Sequence, residues 1–219
     1  MNNKVLIVAV HPDDETLGCG GTLLKHKADG DQINWLICTS VDIKHNDFHS
    51  RKQEIDEISE LYNFDSVHDL QLKTTQVDEY TMSELIGKIS KVINEVKPNI
   101  IYLPFKGDIH SDHRRIFDAT YSCTKSFRYP FVKKIYMLET ISETEFAPST
   151  KEYSFIPNVF VDISKYMDEK VRIMSKYKKE IGQHPFPRSE KNVRALATFR
   201  GATCGCDYAE SFILLKEII

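Results

Sequence analysis

The stretch AVHPDDETLGCGG (9–21) places one imidazole, His11, and three consecutive acids, Asp13, Asp14 and Glu15, directly behind the apolar run KVLIVAV (4–10). Like charges packed this closely cost free energy unless a positive charge sits among them. A second cluster, FKGDIHSDHRR (105–115), carries Asp108, His110, Asp112 and His113 behind the apolar run NIIYLP (99–104). Two imidazoles and a carboxylate leave Zn²⁺ with an open coordination position, as in hydrolytic rather than structural sites. Such an ion supplies the missing positive charge and lowers the pKa of its bound water to about 7. A carboxylate left free beside that water acts as general base. The same donor set also suits Fe²⁺.

Each cluster on its own has a plainer reading. Asp14 or Thr16 would serve as the N-cap of the following helix. His110 and His113 read as surface residues at a helix start, with Asp112 favoured there by the helix dipole. GCGG (18–21) is not a dinucleotide fingerprint, because those glycines follow the strand directly and here the acids intervene. These glycines are expected to let the helix pack tightly on the sheet, or a loop approach the site. Cys204 and Cys206 form an isolated C-x-C, weak as a metal motif without a second pair.

The element pattern is what brings the clusters together. Strand-like runs at 4–10, 33–40, 67–72, 99–104, 133–139 and 157–163 alternate with helical stretches at 16–28, 48–63, 112–126 and 164–182. Between 67–72 and 99–104 the helical period is clearest, with Leu85, Ile86, Ile89, Val92, Ile93 and Val96 on one face and Lys97-Pro98 ending it. Continuous apolar runs separated by helices predict right-handed crossovers and a mostly parallel sheet flanked by helices. The expectation is an α/β fold, one Rossmann-like domain over 1–219. Ligands of such sheets bind beyond the carboxyl ends of the strands, where both clusters fall.

Composition narrows the function classes. Among 219 residues with 28% charged and a net charge of −3, no basic footprint for nucleic acid stands out. No apolar run approaches the roughly 18–20 residues that span a bilayer, so no integral membrane contact is expected. The segment MNNKVLIVAVHPDDE lacks a small-residue cleavage site and does not read as a signal peptide. Five cysteines without framework spacing read as reduced thiols of a cytoplasmic protein.

AVHPDDETLGCGGTL together with DIHSDH resembles the PIG-L/LmbE-like family of zinc-dependent N-deacetylases. RKQE (51–54) and RGATCGCDYAESF (200–212) match it less specifically. The resemblance implies His11, Asp14 and His113 as zinc ligands, Asp13 as general base and His110 as the histidine that stabilises the oxyanion. His110 would work best as the imidazolium, which implies a bell-shaped pH profile. Asp112 would orient His110, and Arg51 would help hold the substrate. Arg51 equally suits an i,i+3 ion pair with Glu54. The implied reaction is hydrolysis of the N-acetyl group of an N-acetylglucosamine-type conjugate, a small-molecule amino sugar. Relatives are often homo-oligomers, which the 41% hydrophobic content allows. Segments 140–156 and 182–192 vary among members and transfer no substrate identity. Two alternatives stay open. One is a metal-dependent hydrolase of another acyl, ester or phosphoester bond, although the acidic rim disfavours a highly anionic group. The other is a non-catalytic sugar-binding relative, against which the presence of Asp13 and His110 argues.

Overall fold

The computed structural model describes residues 2–40 and 48–219. The first strand, β1 (Lys4–Ala9), is buried from Val5 onward. Val5, Ile7 and Ala9 enter one apolar cluster, and Leu6, Val8 and Val10 enter another on the opposite face. The period of two therefore feeds two cores, which is why the run is continuously apolar.

The chain then forms α1 (Asp14–Ala28), β2 (Gln32–Ser40), α2 (Phe48–Tyr62), β3 (Ser66–Lys73), α3 (Met82–Val96), β4 (Ile100–Leu103), α4 (Ser111–Ser122) and β5 (Lys134–Leu138). It ends with β6 (Val159–Asp162), α5 (Met167–Met174), α6 (Glu190–Cys204) and β7 (Ala209–Glu217). Among the described residues, one sheet of seven strands has the order β3-β2-β1-β4-β5-β7-β6. The first five are mutually parallel, and β7 runs antiparallel between β5 and β6. Residues of α1, α2, α5 and α6 cover one face; α3 and α4 cover the other. Strand order reverses between β1 and β4, so their carboxyl ends open the crevice where such sheets bind ligands. No helix among the described residues is long and apolar enough to cross a membrane.

α3 matches its sequence period: Leu85, Ile89, Val92, Ile93 and Val96 are buried, and Thr81 with Glu84 forms a capping box. α1 is less regular. Cys19 leaves helical geometry (φ −150°, ψ 25°) and splits the helix. The broken ladder is satisfied by residues from far along the chain. The Glu210 carboxylate accepts from the Gly21 and Thr22 N–H groups (2.9 and 2.7 Å), and Lys170 Nζ donates to the Leu17 carbonyl (2.9 Å). Lys170 and Glu210 also pair at 2.7 Å, both buried. The glycines here serve close packing: a Cβ on Gly21 would meet Ile163 at 2.7 Å, and one on Gly20 would meet the Tyr62 hydroxyl at 2.6 Å.

Two regions differ from the sequence expectation. The helix expected over 164–182 is confined to Met167–Met174. Beyond it the chain leaves the helix in a turn and buries Tyr177 in the core. The second region holds α6 and β7, which the sequence pattern does not announce. α6 buries only Val193, Ala197 and Gly201, too small a stripe for a strong period, and β7 is an antiparallel insertion into an otherwise parallel pattern.

Replacing Lys170 with Met strands a buried Glu210 charge and is expected to cost about 3–5 kcal/mol of stability. Urea unfolding of Lys170→Met should show a lowered midpoint, and adding Glu210→Gln should recover part of it. An unchanged midpoint in the single variant would remove the pair from any role in holding α1.

Candidate metal centre and active site

The site lies where β1 and β4 end. After Val10 the chain turns through His11 and Asp13, and the Asp13 backbone takes φ 142°, a conformation costly for a residue with a Cβ. Hydrogen bonds hold this turn: Asp13 N–H donates to Glu15 Oε2 (3.1 Å), and the Thr16 and Leu17 N–H groups donate to the Asp13 carbonyl. Glu15 is itself fixed by the Tyr177 and Thr16 hydroxyls, at 2.6 Å each. The expected capping roles of Asp14 and Thr16 are not what forms. Asp13 occupies the N-cap position without a side-chain capping bond, so its carboxylate is left to the cavity. Asp14 is the first helical residue, and its Oδ2 accepts from the His11 N–H at 2.8 Å.

The second cluster arrives on the loop after β4 and on α4. His113 is fully buried rather than a surface residue. Its Nδ1 is hydrogen-bonded to Asp108 Oδ2 at 2.8 Å, and Asp108 Oδ1 accepts from the Thr144 hydroxyl at 2.7 Å. This fixes the tautomer and aims Nε2 of His113 inward, the arrangement that carboxylates impose on metal-binding imidazoles. His113 Nε2 lies 3.4 Å from Asp14 Oδ2, and His11 Nδ1 lies 3.8 Å from the same oxygen. Nε2 of His11 and Nε2 of His113 are buried without a hydrogen-bond partner. Buried polar atoms are rarely left unpaired, and a cation among these side chains would partner both nitrogens.

Among the described residues, two groups of three donors could hold a metal: His11, Asp14 and His113, and His11, His110 and Asp112. The second is less suited, since Asp112 already accepts from the Thr75 and Val77 N–H groups at 2.7 and 3.2 Å. Burial alone would raise the Asp112 carboxyl, but the neighbouring His11 imidazole (Nε2 at 3.5 Å) and those two amides hold it below its usual value. The donor set of the first group, two imidazoles and one carboxylate, fits a zinc or iron(II) ion.

The structure redistributes the roles around His110. Its Nδ1 accepts from the Asp112 backbone N–H at 3.1 Å, so the imidazole N-caps α4. The Asp112 carboxylate is 3.9 Å from that nitrogen and sits closer, 3.5 Å, to His11 Nε2. Orientation of His110 thus comes from the Asp112 backbone rather than its side chain. A ring whose Nδ1 accepts is neutral and carries its proton on Nε2. Burial, reinforced by His11, pushes the His110 pKa below the usual histidine value, which also favours the neutral ring over the expected imidazolium.

Asp13 is 5% exposed. Burial, then the neighbouring Asp14 and Glu180, push its carboxyl well above the usual range, with Arg188 pulling the other way. These groups line a cavity of about 230 Å³ that also includes His11, His110 and Arg51. Arg51, from α2, lines this cavity and pairs with Glu54 at 3.2 Å and with Glu180. Arg188 grips Glu180 from the other side, through its carbonyl (2.7 Å) and Oε2 (3.0 Å), and donates to the Ser142 hydroxyl. Sequence reasoning assigned no role to Asp108, Glu15, Tyr177, Glu180 or Arg188. Asp108, five residues before His113 in GDIHSDH, and Glu15, third of the consecutive acids, offered local signals; Tyr177, Glu180 and Arg188 are brought in by tertiary contact.

A family model described as GlcNAc-PI de-N-acetylase (PIG-L) matches residues 6–124, more than half of the 219-residue chain. The chain belongs to this family. The match runs from β1 past α4 and so includes every residue of both His/Asp clusters, while Glu180 and Arg188 lie outside it. The diacetylchitobiose deacetylase of Thermococcus kodakarensis is 26% identical over 228 residues, covering 98% of this chain and 84% of that protein. A conserved protein from Thermus thermophilus superposes with a TM-score of 0.78 at 23% identity, over 99% of this chain and 96% of its own. The 4-carboxy-2-hydroxymuconate hydratase of Pseudomonas putida shares the fold equally well (TM-score 0.78, 14% identity, 100% and 98% covered). The PIG-L fold therefore does not by itself name the reaction.

In the metal-free protein, burial alone would lower His113, but Asp14 and Asp108 raise it to about 9. Near neutral pH the ring is then protonated, and a metal must displace that proton. Zinc affinity of the metal-free protein is expected to rise roughly tenfold per pH unit between about 7 and 9 and then level off. Calorimetry in buffers of different ionisation enthalpy reads the released proton; a flat affinity with no proton released would contradict the arrangement.

Proposed function

We propose that this protein is a zinc-dependent N-deacetylase acting on an N-acetylglucosamine-type amino sugar. The observation that carries the reading is the convergence of two buried imidazole nitrogens without hydrogen-bond partners and Asp14 beside the uncapped Asp13 carboxylate. His11, Asp14 and His113 would hold the ion. When bound, the metal supplies a Lewis acid that polarises the amide carbonyl and makes water more acidic.

The remaining work falls to the chain's own groups. Asp13 accepts the proton of the attacking water and then delivers it to the departing amine nitrogen, so that amide and water become acetate and amine. Nε2–H of neutral His110 donates to the carbonyl oxygen as negative charge grows there. Burial of Asp13 keeps its carboxylate poorly solvated and basic. A cavity of about 230 Å³ is smaller than the roughly 300–1,000 Å³ of sites for drug-sized ligands. It suits one acetamido sugar ring, with the rest of a conjugate outside. Arg51, Glu180, Arg188 and Ser142 line the wall available to sugar hydroxyls. The acidic lining by Asp13, Glu143 and Glu180 disfavours a phosphoester at the reacting position.

Asp13→Ala should lower amine release from a panel of N-acetylglucosamine conjugates by roughly 10²–10⁴-fold while zinc stays bound. Near wild-type turnover by the variant would overturn the assignment of the base. Zinc retained with phosphate but no amine released from parallel substrates would move the reaction to another class.

Because His110 acts as a neutral donor, kcat should not fall as pH rises from about 6.5 to 8. A loss of kcat across that range, absent from His110→Gln, would instead restore the imidazolium.

A further inference from the structure

The C-x-C pair of the sequence becomes a specific structure at the end of α6. Cys204 is the last helical residue, and Gly205 follows with φ 82°. The N–H groups of Gly205 and Cys206 both donate to the Gly201 carbonyl, at 2.8 and 3.0 Å. Gly201 lets the chain double back this tightly, because a Cβ there would lie 2.5 Å from the Cys206 carbonyl oxygen. The turn sets the two sulfurs side by side at 3.5 Å. Cys204 is exposed and Cys206 partly so, whereas Cys19, Cys38 and Cys123 are buried.

We propose that Cys204 and Cys206 form a thiol–disulfide exchange site that closes to an intrachain disulfide on meeting a low-molecular-weight disulfide. The exposed Cys204, as thiolate, attacks one sulfur of the small disulfide RSSR and releases RS⁻. Cys206 then attacks the Cys204 sulfur of the mixed disulfide and releases the second RS⁻. The two thiol protons end on the two RSH molecules, so the protein dithiol is oxidised as RSSR is reduced.

The surroundings assign the order. Cys206 donates to the Tyr208 carbonyl at 3.3 Å, with the Asp162 carboxylate near enough to disfavour its thiolate. Burial, then the Cys204 and Asp162 contacts, push its thiol up to about 11. It therefore stays protonated while Cys204 meets the reagent, and acts second, when the mixed disulfide is already held against it. A metal is the weaker occupant. Zinc sites take four ligands, and this pair is absent from the three-donor groups found among the described residues. The pair sits in the turn between α6 and β7, and β5 separates β7 from β4 and β1 in the sheet, so the proposed hydrolysis does not use it.

The test uses the full chain, intact mass and thiol titration with oxidised glutathione as probe. Before treatment, two thiols should react in the native state and three more only on unfolding. Afterwards the mass should fall by two hydrogen atoms, with no native thiol left and full reversal by dithiothreitol. Cys206→Ser should stop at a stable glutathione adduct on Cys204. A stable adduct on the wild-type protein, or native thiols that survive treatment, would overturn the proposal.

Discussion

The structure is organised around the cost of burying Asp13, Asp14 and Glu15 together. In a low-dielectric interior three adjacent carboxylates repel one another and lack water, so each needs a separate solution. Burial drives Glu15 up to about 7 even though Thr16 and Tyr177 donate to it, and it serves as the acceptor that holds the Asp13 backbone. Asp14 faces the imidazoles of His11 and His113. Asp13 receives neither remedy: it stands on strained backbone with its carboxylate raised, the condition in which a carboxylate is most useful as a base.

Holding that cluster falls largely to the distant half of the chain. Tyr177 secures Glu15, Glu180 and Arg188 close the cavity wall, and Lys170 with Glu210 replaces the hydrogen bonds that α1 loses at Cys19. The helix that carries the acids would otherwise present orphaned N–H and C=O groups within the core. The site is thus built where β1 leads into α1 and β4 leads into α4, and is supported by the chain from α5 to β7.

His110 shows how backbone context sets chemistry. As the N-cap of α4 it receives a backbone amide on Nδ1, which leaves Nε2 as a donor. The fold is shared with a hydratase, so side chains in this crevice, and not the sheet, carry the reading as an amide hydrolase.

The sequence by itself determined the alternation of strands and helices as far as β6 and the start of α5, the parallel order it implies, and the two His/Asp clusters. These rest on local signals: continuous apolar runs, a clear period in α3, and consecutive titratable residues. Gly20 and Gly21 were also legible as packing glycines, though not their partners Tyr62 and Ile163. Only the tertiary structure decided that His113 is buried against Asp108, that the Asp112 backbone rather than its carboxylate meets His110, and that Asp13 is the uncapped acid. It alone placed Arg188, Glu180 and Tyr177 at the site and inserted β7 between β5 and β6. The physical reason is range. Periodicity reports which face of an element is apolar, whereas the partner of a buried polar atom is chosen by whatever distant segment packs against it, and no local pattern records that choice.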